Sequence, residues 1–148
     1  MTYSYQKAER TESEAIYNLY RLVMHAYVSE IWGWNDKWQE SDFLTHFDPK
    51  DTTLVYKERE LAGYSQVESR DEQLFIRMLV VHPHHQRKGI GSQLLASIIA
   101  SGKEQSKSIR LEAFKINDEA KKFYETKGFI VEGENTSSFI MCLMSNPA

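Results

Sequence analysis

The chain has 148 residues, 41% hydrophobic and 12% aromatic, which suits one globular domain of roughly 100–200 residues and is too apolar for disorder. With 18 basic and 21 acidic residues the net charge is −3, so no basic surplus points to nucleic acid or to an anionic membrane. The single cysteine, Cys142, leaves no partner for an internal disulfide and no cysteine zinc cluster.

No apolar stretch approaches the ~20 residues that cross a bilayer, and residues 1–7 have no apolar signal core, so the expected location is cytoplasmic. Neither a repeat nor a Pro/Gly/Ser-rich linker interrupts residues 1–148, which read as a single domain.

Residues 3–7 alternate weakly, as a first strand does. Thr11 followed by Glu14 is a capping-box pattern, and Ile16, Leu19, Tyr20, Val23 and Tyr27 then recur on one helical face. A shorter helix is predicted over 37–47, ahead of the Asp48-Pro49 turn. Strands are predicted over 53–57, 61–68 and 72–81, the first two joined by a polar turn at Glu58-Arg59-Glu60. The third places Leu74, Ile76, Met78 and Val80 on one face and stops at Pro83.

A helix from Gly89 turns Ile90, Leu94, Leu95 and Ile98 inward and should end at Gly102. A strand over 108–114 precedes a helix capped by Asn117 that carries Ala120, Phe123 and Tyr124 and ends at Lys127-Gly128. Strands over 129–132 and 138–143 close the order. Strand, two helices, a three-strand meander, then helix, strand, helix, strand, strand imply a mixed sheet with helices on its faces, an α/β layer architecture.

The chemistry concentrates in Val80-Val81-His82-Pro83-His84-His85-Gln86-Arg87-Lys88-Gly89-Ile90-Gly91. It reads as a buried strand, a sharp exit at Pro83, a polar loop and a glycine-spaced helix start. The first turn of a helix has unpaired amides and a positive dipole end, which suit a phosphate. Gly89 and Gly91 let the backbone approach closely, and Arg87 and Lys88 add charge. Glycines at a helix start also serve plain tight turns. Neither a P-loop nor the dinucleotide fingerprint fits, since no Gly-Lys-Ser/Thr ending is present and Leu94 stands where a third glycine belongs.

The hexapeptide Gln86 to Gly91 resembles the coenzyme A-binding motif of the GNAT N-acetyltransferases, Gln/Arg-x-x-Gly-x-Gly/Ala after a strand. Downstream, Leu111-Glu112-Ala113 followed by Asn117, Ala120, Tyr124 and Gly128-Phe129 is similar to the family's later strand-helix-strand block. The resemblance spans about Leu74 to Gly133. It implies an α/β (α+β) GNAT fold: a central mixed, mostly antiparallel sheet of six to seven strands, flanked by about four helices and splayed between the fourth and fifth strands. It further implies direct transfer of acetyl from acetyl-CoA to an amine. The alternatives are a non-catalytic acyl-CoA-binding sensor or interaction module of the same fold, and a transferase of longer acyl groups.

In that family the pyrophosphate lies on the helix start, which implies contacts at Gln86, Arg87, Lys88, Gly89, Ile90, Gly91 and Ser92. Pantetheine pairs with the preceding strand end, implying main-chain contacts at Leu79, Val80 and Val81 and an amide that steadies the oxyanion. Core packing accounts for those valines equally well. Tyr124 corresponds to the proton donor to the leaving thiolate, or is a helix tyrosine packed beside Phe123. Asn117 matches a residue near the cofactor and would look the same as a plain helix cap.

For the base, Glu112 resembles the position used by the branch that acetylates ribosomal proteins, though an exposed strand residue would read identically. Glu68 is the second candidate. Glu30, Trp32 and Trp34, with Asp36, Trp38 and Glu40, fall where the family builds one wall of the acceptor site. An aromatic, acidic wall suits a cationic amine, and tryptophans anchoring a loop give the same pattern. His82, His84 and His85 suggest a metal, but with no matching ligand elsewhere in the sequence none is expected. Cys142 sits in an apolar strand and implies no acyl-cysteine step. Dimers are common in the family, so a homodimer paired through the last strand is a further expectation.

Overall fold

The computed structural model describes residues 2–145. β1 (Ser4–Lys7) and a 3-10 turn, Arg10–Glu12, lead into α1 (Ser13–Ile31) and α2 (Asp36–His46). A second 3-10 turn, Pro49–Asp51, precedes β2 (Thr52–Lys57), β3 (Glu60–Ser69) and β4 (Gln73–Val81). A third, Pro83–His85, is followed by α3 (Ile90–Gln105), β5 (Ser108–Phe114), α4 (Asp118–Thr126), β6 (Ile130–Glu134) and β7 (Ser138–Leu143).

The strands form one seven-stranded sheet in the order β1-β2-β3-β4-β5-β7-β6. β1 with β2, β2 with β3, β5 with β7 and β6 with β7 pair antiparallel. β4 and β5 are parallel, in a register from Gln73↔Ser108 to Ile76↔Leu111. The expected mixed, mostly antiparallel sheet with four helices is therefore what the chain forms. Among the described residues no helix is long and apolar enough to cross a membrane.

The chain divides into two compact units. The first takes residues up to Gln66 together with Met78–Leu94, the second Val67–Arg77 together with residues from Leu95 onward, so β3, β4 and α3 each run from one into the other. In the first unit, successive residues of β2 serve opposite faces. Leu54 packs with Ile16, Leu19, Phe47, Tyr64 and Val80, while Val55 packs with Ala62, Ile90 and Leu94. Burial on both faces explains why the apolar Leu54 and Val55 are adjacent in β2 rather than alternating with polar residues. In the second unit Leu74, Ile76, Ile109, Leu111 and Met141 are buried, each contributing about 1.5–3 kcal/mol by leaving water.

Three expectations are corrected. Because a 3-10 turn precedes α1, the capping contact is made by Glu9 and Glu12, not Thr11 and Glu14: the Glu9 N–H donates to Glu12 Oε1 at 2.8 Å. α3 passes through Gly102 to Gln105, and the reversal falls on Ser106 at φ 57°. Gly102 is glycine because a Cβ there would lie 3.0 Å from the Lys107 carbonyl oxygen and 3.3 Å from Ile109. Finally, β7 lies between β5 and β6 and pairs with both, so the last strand is not the sheet edge that strand pairing between subunits would need. The edge belongs to β6, where Ile130 and Val131 are exposed.

Candidate functional site

In the first unit, β4 leaves the sheet at Val81, and the His82 N–H still donates to the Ala62 carbonyl at 2.8 Å. Pro83 starts the 3-10 turn, which His82 caps by accepting the His84 N–H on Nδ1 at 3.0 Å. Gln86 is extended, Arg87 and Gly89 are left-handed at φ 65° and 84°, and α3 starts at Ile90. Backbone turns that mix left-handed residues with a helix start point several N–H groups to one side, an arrangement that binds anions. A non-glycine residue pays roughly 1 kcal/mol or more for the left-handed region, so Arg87 holds local strain.

Arg87, Lys88 and Gly89 are exposed, and a Cβ added at Gly89 meets nothing within 4 Å. Packing therefore does not require this glycine; its backbone angle does. Ile90 is buried, so only its main chain is available to a ligand. Leu79 and Val81 pack against the Val55, Ala62, Ile90 and Leu94 cluster, and both lie beyond the last β4 residue paired with β5. Gln86 is exposed, and its amide lies 3.5 Å from the Val81 carbonyl oxygen, at the limit of a hydrogen bond.

In the second unit, Tyr124 is buried on α4, with edge-on ring contacts to Phe123 and Phe129 at 5.3 and 5.5 Å between centroids. Burial pushes its phenol above the ordinary value of 10.0 and holds it neutral. Asn117 caps α4, its Oδ1 accepting the Ala120 N–H at 3.1 Å. Glu112 is exposed on β5, and its Oε1 accepts from Asn135 Nδ2 at 2.9 Å. Asn135 was not anticipated, since it lies in the turn after β6 and meets Glu112 only through the β5–β7 pairing. Cys142 is buried, and its thiol is raised by burial, as suits an inert core sulfur.

The sequence model of the acetyltransferase (GNAT) family matches residues 14–129. The chain belongs to that family. No curated protein matches it. Among solved structures, the PaiA N-acetyltransferase of Thermoplasma acidophilum in complex with coenzyme A superposes at a TM-score of 0.80, with 19% identity over 97% of this chain and 99% of that one. The ribosomal-protein-S18-alanine N-acetyltransferase of Escherichia coli superposes at 0.75, with 19% identity over 99% and 97%. YncA of Salmonella typhimurium, a putative acetyltransferase with its cofactor acetyl-CoA, superposes at 0.69, with 20% identity over 100% and 96%. At these identities the likeness is one of fold.

The remaining expected residues of this GNAT chain are distributed unevenly. Trp34 is an anchor: its ring packs at a tilt against those of His25 and Tyr20, with centroids 4.7 and 6.0 Å away, and its Nε1 donates to Asp36 Oδ1 at 2.6 Å. Asp36 is also 3.7 Å from the Arg21 guanidinium. Trp32 and Trp38 are 66% and 61% exposed, and Glu30 and Glu40 are exposed with them. Glu68, in the second unit, is in an ion pair with Arg70 at 3.2 Å, which competes with service as a base.

Around the histidines the structure supplies a partner that spacing did not announce. Glu60, the first residue of β3, reaches His85 Nε2 with its Oε1, and its carboxyl is held below the usual range chiefly by that bond. No sequence signal marks Glu60. Only the pairing of His82 with Ala62 brings it there.

Proposed function

We propose that this chain transfers the acetyl group of acetyl-CoA directly to a primary amine of a small molecule or protein. The observation that carries the reading is the turn over 86–91, with its left-handed Arg87 and Gly89 opening α3. The residues fit the cosubstrate. N–H groups of 87–92 suit the pyrophosphate, Arg87 and Lys88 neutralise it, and the glycine leaves the backbone bare on an open side. The main chain of Leu79 to Val81 suits strand-like pairing with pantetheine, and a β4 amide suits the charge that develops on the thioester oxygen. Neighbours of the same fold hold coenzyme A or acetyl-CoA, which supports the same ligand here.

The amine attacks as a free base. Glu112 takes its proton, directly or through water, with one carboxylate oxygen steadied by Asn135. The C–N bond forms, the C–S bond breaks, and the departing sulfur receives the proton of the neutral Tyr124 phenol, leaving coenzyme A as the thiol. Exposed Trp32 with Glu30 favours a cationic acceptor, while Trp34 holds their loop in place.

The reading is tested by calorimetric titration with acetyl-CoA. Saturable binding is expected, lost or weakened at least tenfold in Gly89→Leu; no binding by the unaltered protein would sink the assignment. With an amine panel, Tyr124→Phe should lower kcat by about 10²–10⁴-fold, the usual worth of a general acid, and leave acetyl-CoA affinity unchanged. Equal loss of both would make Tyr124 a packing residue.

A further inference from the structure

We propose that Glu60, His82 and His84 form a site for a divalent metal ion of the zinc class. One donor atom from each lies within 4.8 Å of the other two. The start of β3 and the exit of β4 are held side by side by the 2.8 Å bond from the His82 N–H to the Ala62 carbonyl. Pro83 then reverses the chain, bringing the His84 ring to 4.6 Å from that of His82. Two imidazoles and one carboxylate are a donor set of zinc centres that keep a fourth position for water or a ligand. Bonds of about 2.0–2.1 Å in tetrahedral geometry separate the donors by about 3.4 Å. Glu60 and His84 are exposed and His82 half-buried, so side-chain rotation closes the remaining gap.

The surroundings resemble the outer shell of a metal site. His85 is buried at 8% exposure, its Nε2 bonds Glu60 Oε1, and its Nδ1 lies 3.1 Å from the Tyr3 hydroxyl. A ligand carboxylate is ordinarily oriented by such a partner, which here fixes one oxygen and leaves the other for the ion. Glu60 and His82 also line an open cleft of about 610 Å³, shared with Asn18 and Leu22 of α1, which gives an ion a route in. Metal on His82 ends the cap bond from the His84 N–H whichever ring nitrogen it takes, because Nδ1 then carries either the metal or the ring proton. Metal binding and the conformation of the turn leading into 86–91 are thereby linked.

The test is calorimetric titration of zinc chloride into chelator-stripped protein in a non-coordinating buffer. One ion per chain is expected, with affinity reduced at least tenfold by Glu60→Gln and by His84→Ala and unaffected by the distant His46→Ala. Nitrogen-15 spectra should show the His84 amide resonance shifting with zinc. Both altered side chains are exposed, and circular dichroism melts check that the variants fold. Absence of saturable heat overturns the proposal. So does binding that persists in both Glu60→Gln and His84→Ala, which would place the ion elsewhere.

Discussion

A phenol shielded from water resists ionisation, and two tyrosines of this chain are shielded in different ways. Tyr124 is raised by burial alone, while Tyr56 is pushed up to about 12 by burial and by its bond to Glu12 at 2.8 Å. In the unfolded chain both ionise near pH 10. Above that pH the unfolded state binds fewer protons than the native one, so stability falls as pH rises toward the folded values, while below it the contribution is complete. Tyr124→Phe should flatten the loss of urea-unfolding stability above about pH 10 by about 1.4 kcal/mol per pH unit. An unchanged slope would show that Tyr124 is not shielded from solvent. Asn117 as the cap of α4 and Gly89 as the left-handed residue before α3 could be read from local pattern, whereas Tyr124 was singled out only through the resemblance to the GNAT family. Glu60, Tyr3 and Asn135 could be read from neither, because their partners His85 and Glu112 lie on strands or turns distant in the chain.

Among the elements, β3 sets where β4 ends. Its register against β2 shifts between Val55 and Tyr56, so that Val55 faces Gly63 and Tyr56 faces Leu61, leaving Ala62 as a bulge. Gly63 beside it approaches β4 so closely that an added Cβ would lie 2.7 Å from the Val80 carbonyl oxygen and 3.3 Å from Ile90 Cγ2. Gly63→Ala should therefore cost about 1–3 kcal/mol, read as a lower urea midpoint, since a backbone oxygen must move rather than a flexible side chain. A loss below 0.5 kcal/mol, about that of an ordinary surface change, would mean that β3 and β4 separate freely there. The meander and the crossover to α3 were legible from apolar runs punctuated by Pro83 and Gly89. The end of α3 was not, because Gly102 serves packing rather than termination. Nor was the position of β7 inside the sheet, because strand order follows from pairing partners, which periodicity does not encode.

For the whole molecule, the question is whether two compact units make two thermodynamic bodies. β3, β4 and α3 each have residues in both units, so melting either one removes hydrogen-bonded residues from elements of the other. Scanning calorimetry should show a single transition whose calorimetric and van't Hoff enthalpies agree, as is usual for single domains under about 150 residues. On the proposed function, acetyl-CoA at about 100 times its dissociation constant adds about 2.7 kcal/mol to the native state. At about 2–4 °C per kcal/mol for a chain near this size, the entire transition should rise by roughly 5–10 °C. Two transitions, of which acetyl-CoA moves only one, would instead mean that the shared strands do not couple the units. The turn over 86–91, wholly in the first unit, would then hold the ligand without stabilising the fold around Tyr124.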